Sequence, residues 1–201
     1  MDGAEFRDAV EEEKATQLDR LGSEKLLVGL TEATLEAERV LDVAALSEHA
    51  ARETFREWVE TAADETLHET YAAVVAQEAD HLRRVRAVAS LDDGYGADGA
   101  GPMHAYLRGR EDPIHRVAGG MVGRTLVSLR THGRLIDFFE GRDTEAERLF
   151  RELRAETADC LDDGLDILDA RSTGDDWDEA LAVAGYTVRL AADDLRDARR
   201  S

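Results

Sequence analysis

Only two prolines, Pro102 and Pro113, interrupt 201 residues, and for long stretches the apolar residues recur three and four apart. Proline ends or kinks a helix, so a chain this poor in it can carry long uninterrupted helices. Alternation of β-branched residues, the mark of strands, is hard to find, and the fold class read from the pattern is all-α. Leu41, Ala44, Glu48, Ala51, Phe55, Trp58 and Ala62 share one helical face. Leu67, Tyr71, Val74, Glu78, His81, Val85 and Val88 share another, and the five-residue step from Ala62 to Leu67 breaks the phase. A tight turn is expected there, with Asp64 as N-cap.

The rest of the chain divides in the same way. Residues 1–30 read as a lead helical segment with a thin apolar face of Phe6, Val10, Leu18 and Leu21, peripheral or packed on a partner. Residues 31–91 form a first helical hairpin. Residues 92–112, rich in Gly and Asp, form a crossover whose Asp spacing does not match a calcium loop. Asp112-Pro113 opens a second hairpin over 113–173, with Asp as cap and Pro in the first turn. A closing helix fills 174–201, with Trp177, Leu181, Ala184, Val188, Ala191 and Leu195 on one face. All of this makes one domain. Two hairpins joined by a long crossover is the ferritin-like arrangement of a four-helix bundle, here with extra N- and C-terminal helices.

Charge and composition narrow the function classes. The net charge is −20, with 45 acidic against 25 basic residues, only two of them lysines. Such a field repels phosphates, so direct nucleic-acid binding is disfavoured. The acidic, lysine-poor surface suits a salt-rich, halophilic cytosol, where ions screen its self-repulsion. Cys160 is the one cysteine, which excludes an internal disulfide, a CxxC pair and a four-cysteine metal site. The start, Met1-Asp2-Gly3-Ala4-Glu5, has no apolar leader, and no apolar run is long enough to span a bilayer. A soluble, cytoplasmic protein without a membrane partner is expected.

Glu48, Glu78 and His81 occupy seam positions between apolar neighbours. Burying ionised carboxylates costs several kcal/mol unless a cation or donor meets them. Glu78-x-x-His81 puts two heads on one helix face, and Glu48 on the neighbouring helix can reach the same point. A lone Glu with Glu-x-x-His is half of a carboxylate-bridged two-metal site, and such ligands suit iron or manganese. The second half is degraded. Glu156-x-x-Asp159 stands where the second motif belongs, but Gly123-Arg124-Thr125-Leu126 holds no acid where the lone Glu is needed. His132 lies about 10 Å along the helix from Thr125, which reads as too far to replace the missing ligand. It is expected to be a satisfied core histidine. Glu65-x-x-His68 reads as a solvated first turn.

Ser47-Glu48-His49-Ala50-Ala51-Arg52 followed by Gln77-Glu78-Ala79-Asp80-His81 resembles the first hairpin of a rubrerythrin. The resemblance covers roughly residues 31–170 and is weaker in the second half. It implies a ferritin-like fold and di-iron chemistry in peroxide reduction or iron handling, without the rubredoxin domain. By that resemblance the metal ligands are Glu48, Glu78, His81, Glu156 and Asp159, with iron as the cofactor, full or partial. No catalytic residue is assigned, and enzyme activity extends at most to a rubrerythrin-like oxidoreductase. The alternative reading is a metal-free helical interaction or regulatory module, transcription-associated among other roles. In it Arg124 replaces the metal charge, and the terminal helices bind a partner or a second copy. The direction of the Arg124 side chain discriminates between the two.

Overall fold

The computed structural model describes residues 1–31, 33–89 and 101–197. The expected loop over 92–100 and the end of the closing helix past Asp197 lie outside the described residues. Among those described, every regular element is helical, and no helix is long and apolar enough to cross a membrane.

The chain opens with α1 (Gly3–Glu13), α2 (Ala15–Leu21) and α3 (Lys25–Leu30). The first hairpin is α4 (Ala37–Glu60) and α5 (Glu65–Ala89). Asp64 caps α5 as expected, its Oδ1 accepting from Leu67 N at 3.0 Å. After α6 (Gly101–Arg108) comes α7 (Pro113–Arg116), whose N-cap Asp112 accepts from His115 N. The same helical rod then widens into a π-helical stretch, Val117–Gly123, and continues as α8 (Arg124–Phe139). Gly141 turns the chain with φ of 70°, and α9 (Thr144–Arg171) and α10 (Asp176–Asp197) follow. Within each hairpin the two long helices lie along one another, and α5 also meets α9.

Close approach explains the glycines of the π stretch. A Cβ on Gly120 would come within 2.5 Å of the Trp58 ring, and one on Gly123 within 2.8 Å of Ala184 O on α10. α10 packs directly on this stretch.

The lead segment departs from expectation. It is broken at Lys14, and it is not peripheral. Phe6 and Val10 are fully buried, α1 packs on α9 and α10, and the Phe6 ring lies 5.7 Å from Trp177. On α10, Ala180, Ala184 and Val188 are likewise covered from within the chain. These apolar residues of the terminal helices are thus used internally. Their thin faces suffice because two long helices supply the groove.

The core forms two apolar clusters. One surrounds Phe55, Trp58 and Tyr71, and the other surrounds Leu82, Phe139 and Phe150. In sequence along α4 and α5, the buried polar residues Glu48, Glu78 and His81 fall between the members of the two clusters.

Candidate metal centre

Glu48, Glu78 and His81 are buried, 5%, 3% and 0% exposed. They come together as the seam spacing requires, each offering one ligand atom within 4.8 Å of the others. The helix periodicity that buries Ala44, Ala51 and Phe55 necessarily carries Glu48 inward with them.

The second hairpin answers with cations and donors. Arg124, 3% exposed, places Nη1 3.0 Å from Glu78 Oε1. Its Nε donates to Gly120 O at 3.0 Å, and the guanidinium stands 5.2 Å from the Phe55 ring centre. Burial pushes the Glu78 carboxyl up to about 8, since the guanidinium offsets desolvation only in part and Glu48 adds a like charge. Burial acts on Glu48 in the same sense, but donors on His132 and His81 outweigh it and hold that carboxyl well below the usual range.

His132 is the buried core histidine that the sequence reading expects. Its Nε2 lies 3.2 Å from Glu48 Oε1. It reaches across to α4 as a partner of Glu48 and is not one of the three converging groups.

Glu156 is also placed differently from its expected role. Its Oε2 accepts from His81 Nε2 at 2.8 Å, its side chain is 41% exposed, and Arg84 Nη1 holds both of its oxygens at 2.9 and 3.0 Å. It braces the histidine from outside and is not among the three converging groups. Asp159 is exposed and stays apart from the cluster. The buried face of α9 runs through Leu153, Thr157, Cys160 and Leu161, and Glu156 lies at its edge. Three residues further on, Asp159 falls on the solvent side.

The tautomer of His81 follows from these partners. Glu156, paired with Arg84, is an ionised acceptor held below its usual pKa despite some burial. His81 Nε2 must therefore carry the proton that it donates. The other nitrogen, Nδ1, faces Glu48 Oε2 at 3.6 Å. Both His81 Nδ1 and Glu78 Oε2 are buried with no hydrogen-bond partner. A lone pair facing a carboxylate is stable only with a positive charge between them, supplied by a proton or a metal ion. Burial lowers the proton affinity of His81, but the surrounding carboxylates outweigh it and raise it. The orphaned atoms fit a single hard cation bound by two carboxylates and one imidazole. A histidine fixed through its outer N–H by a carboxylate is the usual support for such a ligand.

The remaining histidines sit elsewhere. His104 is buried, with Nδ1 3.0 Å from Thr54 Oγ1. Burial and the charges of Arg124 and Arg108 push it down to about 3. His68 is exposed, as a solvated first turn requires. Arg84 was missed in the sequence, where it is one of two arginines, with Arg83, a turn beyond Asp80 on α5. No known family model matches the chain, and no curated protein or solved structure matches it.

Proposed function

We propose that the two hairpins form a ferritin-like four-helix bundle that binds one divalent ion, iron or manganese, on Glu48, Glu78 and His81. In this reading Arg124 stands in place of a second ion. The observation that carries it is the convergence of two orphaned buried lone pairs, His81 Nδ1 and Glu78 Oε2, beside Glu48. The bound ion would supply Lewis acidity or one-electron redox chemistry. The protein holds it with the three inward groups, while Glu156 and His132 fix the orientations of His81 and Glu48. Reducing peroxide takes two electrons, which the rubrerythrin resemblance assigns to a pair of irons. A single ion beside a guanidinium favours iron handling over that reaction.

Titration of the metal-free protein with Fe(II) under anaerobic conditions, or with Mn(II), is expected to saturate at one ion per chain. Glu78→Ala should abolish the binding. A metal-free interaction or regulatory module is the second reading, favoured by the 3.0 Å contact that already gives Glu78 a cation. Absence of any ion uptake would select it.

A further inference from the structure

A cavity of about 250 Å³ lies between α3, α4, α6, α8 and α10, with none of Glu48, Glu78 and His81 in its lining. Its wall is largely aliphatic, with Leu21, Leu26 and Leu30 on one side and Val43, Val127 and Leu135 on the others. Arg39, half-buried in the first turns of α4, belongs to the same wall. Among the described residues no ion pair or hydrogen bond takes up its guanidinium. That is notable in a chain with 45 carboxylates to 25 bases, where most arginines of the hairpins are paired. None of the Arg39 nitrogens is among the buried polar atoms that lack a partner, so the guanidinium stands at the solvent-reached edge of the aliphatic wall, an unpaired cation open to an anion from outside.

The other end of the cavity differs. It is formed by Ala50, Met103 and His104. The Nδ1 edge of His104 is turned onto Thr54, whose hydroxyl donates to Ala50 O at 2.9 Å and so can only accept from the ring. Asp194 lines the cavity near Gly101 at this end and is itself engaged. α6 runs beside α4, with His104 against Thr54 and Arg108 against Glu57. Gly101 and Asp194 therefore lie near the level of Ala50, about 16 Å along the axis from Arg39. The cavity has one cationic end, an aliphatic length and an uncharged floor with an acid beyond it.

The geometry points to a binding site for a straight-chain aliphatic carboxylate, its head on Arg39 and its methylene chain along the cavity toward His104. Arg39 can hold the carboxylate through two parallel N–H groups. Asp194 at the far end orients the ligand by repelling its head. This site is independent of the metal reading, since none of Glu48, Glu78 and His81 lines it.

Calorimetric titration of the full chain, metal-free, with hexanoate, octanoate and decanoate tests it. One carboxylate per chain is expected, with affinity rising up to about fourfold per methylene until the cavity is full. Arg39→Gln should weaken decanoate about tenfold or more, and Val43→Phe, which fills the cavity from a half-buried position, should remove the dependence on chain length. Decyltrimethylammonium serves as the control. A surface of charge −20 favours the cation unspecifically, so only a local guanidinium can make the anion the better ligand. Binding of decanoate that is unaffected by both substitutions, preference for the cationic amphiphile, or no binding at all would overturn the assignment.

Discussion

The first hairpin turns Glu48, Glu78 and His81 inward from α4 and α5, while the second turns Arg124 and His132 toward the same point from α8. Both hairpins use long helices with the same three-and-four spacing, yet one presents ligand atoms and the other presents donors. The second hairpin also contains the π stretch just before Arg124, with three glycines that let α10 and Trp58 approach. An inward acid on the second hairpin would leave the cluster with an excess of negative charge that only more cations could relieve. A guanidinium in that place supplies a fixed positive charge beside Glu78. The difference teaches how a polar layer between two apolar clusters can stay buried, with acids from one hairpin met by donors from the other.

Removing that guanidinium should have the largest effect. Arg124→Met leaves Glu78 buried without its cation and is expected to cost about 3–5 kcal/mol in urea unfolding above about pH 8, where the Glu78 carboxyl is ionised. Because burial holds Glu78 near 8, protonation relieves the variant in acid, and its deficit should grow as pH rises. Adding Glu78→Leu should recover most of the loss. A loss that the double variant does not recover would mean that Arg124 acts through packing on Phe55 instead.

A second way to sharpen the comparison lies outside both hairpins, at His104 on α6. Its folded pKa of about 3 is below the ordinary 6.5, so the native state rejects a proton that the unfolded chain accepts. Stability is therefore lost as pH falls from about 6.5 toward 3, by up to about 1.4 kcal/mol per unit. His104→Leu should flatten this limb in denaturant series taken at several pH values. Parallel limbs for both proteins would show that the acid loss belongs to the hairpins, through Glu48.

The smallest stability effect is expected at Glu156. Its pairs are half-exposed, so Glu156→Gln should change stability by less than about 1 kcal/mol. Its support of His81 is a separate matter, and the same variant should lower metal affinity by about 10–100-fold. An unchanged affinity would make Glu156 a surface group only.

Much of the architecture was legible because helix periodicity is local. The phase break after Ala62, the caps Asp64 and Asp112 and the stop at Gly141 depend on neighbours a few residues away. The inward direction of Glu48, Glu78 and His81 follows from the same spacing. Contacts between distant segments were less legible. The burial of His132 was expected, but its partner, Glu48, 84 residues away on α4, was not. Asp159 looked like half of a motif, but the buried face of α9 is centred on Thr157 and Cys160. The thin face of α1 suggested a peripheral helix, and only the groove between α9 and α10 explains why Phe6 is fully covered. The π stretch has no periodic signature beyond its glycines.

The central claim is that Arg124 occupies the place of a second ion, and counting metal in Arg124→Glu tests it most directly. Wild type and variant would be loaded with Fe(II) or Mn(II), desalted and measured for metal per chain, with thermal unfolding followed with and without metal. The account predicts about one ion in the wild type and about two in the variant, whose folding should become metal-dependent because several acids then share one interior site. Two tightly held ions in the wild type, or a variant that folds without metal and gains none, would contradict it.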